Sequence, residues 1–166
     1  MSAAAPGPRT LVAGVGYSDL RDVSVGPVLT ARLAGRGWPA SVTVEDFGFS
    51  AIDAVHRLRA AGFARGLFFG AVCRGDPPGT IRRYRYAPEG DARTVQAHVA
   101  QAAQAVIDLE TTVIVAGHFG ALPDDTVVFE VEPEDLGYGD GFSPAVARAV
   151  DRLEAMLAEA VGVGDA

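Results

Sequence analysis

The chain has 166 residues and a formal net charge of −7. A domain of this size hides roughly 68–70% of its unfolded surface, enough for an apolar core without covalent staples, while the excess of acid disfavours nucleic acid as the main partner. The single cysteine, Cys73, cannot pair within the chain; no apolar run approaches the ~20 residues of a membrane span and no charged-then-apolar leader opens the sequence, so a cytoplasmic protein away from membranes is expected.

Strand and helix signals alternate almost from end to end. Thr10 to Val15 is a short apolar run into glycine, and Val25, Val28, Leu29 and Leu33 then recur at helical spacing, with Ser24 in the N-cap position and Pro27 inside the tolerant first turn. "SVTVED" alternates as a second strand. "SAIDAVHRLRAAG" predicts a helix with Ile52, Val55 and Leu58 on one face, Ser50 as cap and Gly62 as stop. "RGLFFGAV" is a continuous apolar run of the kind found in buried parallel strands.

After Pro77, Pro78 and Gly79, "TIRRYRY" alternates like an edge strand, and an alanine-rich segment follows from Arg93. "LETTVIVAGHFGALP" is ambiguous: its β-branched run favours a strand by propensity and packing can make it a helix, the reading preferred here. "DTVVFEV" predicts another strand and "SPAVARAVDRLEAMLAEA" a terminal helix, with Ser143 as N-cap and Pro144 at its first position. The pattern predicts one α/β domain over residues 1–166, a three-layer α/β/α sandwich with a mostly parallel twisted sheet of about five strands, with loose tails at 1–8 and 162–166. No internal repeat or linker interrupts it.

In such a sheet ligands sit outside the carboxyl ends of the strands where the strand order reverses. This selects the corner at Gly14 to Asp22, the loop at Asp46 to Phe49 and the loop from Gly70 to Gly79. The first corner, "GVGYSDLRDVSVGP", satisfies half of a dinucleotide-binding fingerprint through Gly14 and Gly16. Asp19 then occupies the third glycine's place, and with Asp22 it would meet a pyrophosphate with like charge. Asp46 stands where a ribose-binding acid belongs, one match against two conflicts. A tight turn is the simpler use of these glycines.

Taken in order, "LVAGVGYSDLRDVSVGP", "VEDFG", "LFFGAVCRGDPPGT", His98 and "VVFEVEPEDLGYGDGFSPAVARAV" resemble the hydrogenase maturation proteases. These are cytoplasmic endopeptidases that trim the C-terminal extension of the nickel-iron hydrogenase large subunit once nickel is in place. The resemblance runs from about Thr10 to Leu157. It implies a hydrogenase large subunit or a related protein as partner.

It also implies a set of site positions. Gly14 and Gly16 match the family's first corner, Tyr17 replaces an asparagine, and Asp22 matches the first of two acids. The second acid, a metal ligand in the family, is Val23 here. The next family ligand, an aspartate ending the third strand, is Gly70, followed by Ala71; the third, a histidine, is matched by His98. One ligand position of three is retained. Asp46 and Gly48 match in part a loop that handles substrate, which with Asp22 makes them substrate-binding candidates. An even share of a four-ligand zinc site is ~3–4 kcal/mol per ligand, so a lone imidazole would hold a divalent ion with a dissociation constant of about 1 mM. No tightly bound cofactor is therefore expected.

Other residues could refill the site: Asp19, Asp22 and Asp46 lie at neighbouring corners and Cys73 and Asp76 follow Gly70. A thiolate, an imidazole and a carboxylate would make a zinc or nickel set. Against this, Cys73 serves equally as a small apolar filler, the aspartates as turn residues and His98 as a helix-surface residue. His56 and His118 lie outside the matched motifs and are treated as non-ligands. Phe47 and Phe49 could grip a partner or pack down, packing being the more common use. The "RRYRY" edge could add an acidic peptide as a strand or simply deter aggregation.

The expected function is that of a hydrogenase maturation protease homologue, degenerate at the metal site, binding or scaffolding a partner in hydrogenase assembly. The alternatives are an active metal-dependent endopeptidase working through displaced ligands, and a nucleotide or small-molecule enzyme. No catalytic residue is assigned for either.

Overall fold

The computed structural model describes residues 7–88 and 92–162. Most of the expected tails, residues 1–6 and 163–166, lie outside the described residues; Gly7 and Pro8 are exposed and carry no regular structure. Five strands form one sheet: β1 (Thr10–Gly14), β2 (Val42–Asp46), β3 (Arg65–Ala71), β4 (Ile81–Arg85) and β5 (Asp125–Val131), in the order β2-β1-β3-β5-β4. All neighbours are parallel except β4, which runs antiparallel to β5 at the edge. The expected α/β sandwich with a mostly parallel sheet is the one observed.

Alternation along the strands divides the core in two. Leu11 and Ala13 of β1, Phe68 of β3 and Val128 of β5 face α2 (Ala51–Ala61), α3 (Ala92–Ala103) and α4 (Leu109–His118). Val12, Leu67, Phe69, Val127 and Phe129 face α1 (Val25–Ala34) and α5 (Pro144–Val161) on the other side. Residues one apart in a strand point to opposite faces, so a strand covered by helices on both sides must be apolar throughout.

Two predicted helix faces are corrected by the packing. In α1, Val25, Leu29 and Leu33 are buried but Val28 is 42% exposed; in α2 the buried stripe is Ala51, Ala54, Val55 and Leu58, while Ile52 faces outward. A helix turned by small residues toward the sheet brings its backbone closer than larger side chains would allow. Ser50 caps α2 by accepting from the Asp53 N–H, and Gly62 ends it in the left-handed conformation.

The ambiguous segment is helical. Asp108 caps α4 through the Thr111 N–H, and Leu109, Thr111, Thr112, Val113, Val115 and Ala116 are all buried. Burial on nearly every side offsets the few tenths of a kcal/mol that each β-branched residue costs a helix.

The glycine-rich corner is used for packing between strand and helix. A Cβ at Gly14 would overlap Thr30 Oγ1 and the Gly26 carbonyl, and one at Gly26 would overlap the Val15 carbonyl. Only hydrogen atoms fit where the end of β1 meets the first turn of α1. A 3-10 turn, Arg21–Ser24, precedes that helix, and Ser24 donates to the Arg21 carbonyl (2.5 Å) rather than capping.

Candidate functional site

Strand order reverses between β1 and β3, the place in an open α/β sheet where clefts form. A cleft of about 390 Å³ opens there. Val23 of the 3-10 turn and Ala71, Val72 and Cys73 from the end of β3 form one side; His98 and Gln101 of α3 and Asp108 and Glu110 at the start of α4 form another. Pro133 and Leu136, from the loop after β5, close the rim. The fold thus brings Val23, His98 and Cys73, far apart in sequence, into a common cleft.

Asp22 takes a different place. It is fully buried and its carboxylate accepts from the N–H groups of Glu134 (2.9 Å), Asp135 (2.8 Å) and Ser143 (2.8 Å) and from the Ser143 hydroxyl (2.8 Å). Burial pushes the carboxyl up, but these donors outweigh it and hold it below the ordinary carboxylate range. Ser143, expected to cap α5, makes no side-chain cap bond and donates to Asp22 instead. Arg21 strengthens the same junction, donating from its backbone N–H to Gly139 and from Nε to the Tyr138 carbonyl.

Asp46 ends β2 and accepts from the Gly48 N–H at 2.8 Å, a local turn at an exposed loop. Neither residue lines the cleft. Beside them Phe47 is fully buried, stacked edge-on against Phe68 and tilted against Phe49. Asp76 is tied to Arg82 at the base of the edge strand.

Gly70 lies immediately before the lining residue Ala71. A Cβ on it would stand 2.5 Å from the Val15 carbonyl oxygen and 3.2 Å from Leu109 Cβ. Because the nearer obstacle is backbone, just past the end of β1, no rotation of a side chain relieves it. An aspartate therefore does not fit at this position without displacing the Val15 backbone that follows β1. Val23 brings only methyl groups into the cleft. Among the described residues no group of three His, Cys, Asp or Glu side chains is arranged to hold a metal ion, so the residues present do not fit the nickel or zinc site that the resemblance implies.

His98 is held by its neighbours. Its Nδ1 is 3.1 Å from Thr111 Oγ1, which also lies 2.9 Å from Asp108 Oδ2 and 3.0 Å from Gln101 Oε1. The sequence reading singled out His98 and missed Asp108 and Thr111, although "DLET" carries an ordinary helix-cap signature.

A charged network missed by sequence reasoning adjoins the cleft. Arg74 donates through Nε and Nη2 to the two oxygens of Glu130 (2.9 and 2.8 Å) and through Nη1 to Glu110 (3.1 Å). Tyr84 donates to Glu130 at 2.8 Å, and the Arg74 and Gly75 N–H groups donate to Glu132. Burial pushes Glu130 up, and the Arg74 and Tyr84 bonds then bring it below the usual range. A second cleft of about 450 Å³, between β4 and α4, is lined by Arg74, Tyr84, Tyr86, Glu110 and Val113. The one available signal was a glutamate inside the apolar run of β5, which demands a buried partner.

No family model and no curated protein matches the sequence. Among solved structures, hydrogenase maturating endopeptidase HybD from E. coli superposes with a TM-score of 0.70 at 21% identity, over 92% of this chain and 91% of that one. The chain has the hydrogenase maturation peptidase fold. A hydrogenase 2 maturation peptidase from Thaumarchaeota archaeon SCGC_AB-539-E09 matches with a TM-score of 0.66 at 23% identity, covering 94% of this chain and 99% of that one. A [NiFe] hydrogenase maturation protease HycI from Thermococcus kodakarensis KOD1 gives 0.63 at 18% identity, over 93% and 92% of the two chains. In the maturation peptidase fold, then, the cleft at the β1–β3 switch is lined here by a valine, a thiol and an imidazole. No helix among the described residues is long and apolar enough to cross a membrane.

Proposed function

We propose that this chain acts in hydrogenase maturation as a metal-free binding protein, which takes a peptide segment of the nickel-iron hydrogenase large subunit into the cleft at the β1–β3 switch and does not cleave it. The partner and the setting rest on the shared fold and on the order of motifs along the chain. The loss of metal rests on one observation above all: the Gly70 backbone is packed against the Val15 carbonyl, so the place of a family carboxylate is closed by the fold as well as vacated by the sequence.

The chemistry left in the cleft suits binding. Val23, Val72, Pro133 and Leu136 offer apolar wall, and His98, Gln101, Asp108 and Glu110 offer polar partners, the mixture that orients a peptide without activating water. In this reading Asp22 holds the cleft wall in place from beneath, and Asp46 with Gly48 shapes the neighbouring loop.

Calorimetric titration with nickel and with zinc tests the metal-free reading directly; no site tighter than high micromolar is expected. Submicromolar binding abolished by His98→Ala would overturn it and restore the peptidase. Mixing the protein with the precursor large subunit should give a stable complex with the C-terminal extension intact. Loss of the extension on incubation with wild-type protein, and not with His98→Ala, would likewise refute the proposal.

A further inference from the structure

The three contacts of Thr111 Oγ1 fix where the protons lie. A hydroxyl owns one hydrogen and can give it to one acceptor. Thr111 is fully buried, so water does not supply a second. Asp108, the N-cap of α4, uses one carboxylate oxygen to accept the Thr111 N–H at 2.7 Å and sets the other 2.9 Å from Thr111 Oγ1. An ionised carboxylate only accepts, so the Thr111 hydrogen must point at Asp108; in any other direction two lone-pair oxygens would face each other.

No hydrogen then remains for His98. At 3.1 Å the contact between Nδ1 and Thr111 Oγ1 is bonding only if Nδ1 carries the proton and donates. The Gln101 amide, 3.0 Å from the same oxygen, must likewise turn its nitrogen toward Thr111, a rotation that exchanges two atoms of nearly equal shape. A neutral imidazole protonated at Nδ1 keeps a lone pair at Nε2. His98 lines the cleft, and Nε2 has no partner among the described residues.

We propose that Asp108 and Thr111 are positioning residues that lock His98 as the Nδ1–H tautomer, leaving Nε2 as the acceptor for an N–H donor of the peptide bound in the cleft. The other polar side chains there favour the same class of ligand. Asp108 and Glu110 are carboxylates, so the cleft is rich in acceptors and is matched by backbone amides, lysine or arginine rather than by acidic groups. What Nε2 meets rests on the function proposed above; the tautomer itself does not.

The tautomer is read by long-range proton–nitrogen NMR of the three histidine rings at neutral pH, with the His98 signals assigned by their loss in His98→Gln. The wild-type ring should show Nδ1 protonated. Asp108→Asn preserves the helix cap, because the side-chain oxygen still accepts from the Thr111 N–H. Its amide nitrogen then faces Thr111 Oγ1 as a donor; in the double variant with Gln101→Met, which removes the competing amide oxygen 3.0 Å from Thr111 Oγ1, the hydroxyl proton turns to His98 and the ring should switch to Nε2–H. The double variant should weaken large-subunit binding by about tenfold relative to Gln101→Met alone, since an acceptor in the cleft has become a donor. Thr111→Ser should keep both the wild-type tautomer and the wild-type affinity.

An Nε2–H ring in the wild-type protein would overturn the proposal, and so would an Asp108→Asn/Gln101→Met double variant whose ring stays Nδ1–H. Because the ring is observed with no partner present, an Nδ1–H ring in a protein that fails to bind the large subunit would refute the proposed function and leave the relay standing.

Discussion

The carboxylate of Asp22 grips Ser143 twice, through its backbone N–H and its hydroxyl, both at 2.8 Å. The two residues stand 121 positions apart in the chain, and the bond joins the turn that carries Val23 to the residue that opens α5. Together with the Glu134 and Asp135 N–H groups, it fixes the loop whose Pro133 and Leu136 rim the cleft.

Removing this grip should loosen the rim and destabilise the fold. Asp22→Ala leaves the Glu134, Asp135 and Ser143 donors without their shared buried acceptor, at a cost of about 2–4 kcal/mol. Ser143→Ala removes one donor and should cost about 1 kcal/mol. Urea unfolding measures both, and equal effects from the two substitutions would contradict the central position given to the carboxylate.

Acid should unfold the protein through Asp22 and Glu130. Both carboxyls sit below their ordinary range in the folded state, so the stabilisation they give is complete above the unfolded-chain value of about 4 and is lost as pH falls through the lower folded values. The urea midpoint should hold steady near neutrality and decline below about pH 4, with a shallower decline in Asp22→Asn and Glu130→Gln. Tyr84 acts in the opposite sense. Burial, with its bond to Glu130, raises it, so its contribution persists below about pH 10 and is lost as pH climbs through the folded value.

Arg74 and Glu130 should behave as a coupled pair. The Glu130 side chain is only 3% exposed, so Arg74→Met leaves a buried carboxylate without its cation and should cost about 3–5 kcal/mol. Adding Glu130→Gln should recover most of that loss. A double-mutant cycle in urea that found the two effects additive would show that the pair is not the unit described.

Gly70→Ala places one methyl group against the Val15 carbonyl and should cost about 1–3 kcal/mol through backbone displacement. Val23→Glu, at a partly exposed position on the cleft wall, should fold with a stability within about 1 kcal/mol of wild type. Thermal unfolding of the two variants side by side compares a closed position with an open one.

The sequence by itself determined the layered α/β architecture, because apolar periodicity and turn residues are local properties: β1, β3 and β5 are apolar on both faces, and α5 opens on proline at its first position. It also singled out Gly70, Val23 and His98 by their order along the chain. It did not determine which way α1 turns, because Gly14 and Gly26 decide that by how closely two backbones approach, a distance no periodicity encodes. Only the tertiary structure gave Asp22 its partners at Ser143, Arg74 its carboxylates on β5 and α4, and His98 its contact with Thr111, which Asp108 also holds. Each of those roles depends on hydrogen bonds a few ångströms long between elements far apart in sequence, and folding alone brings them within reach.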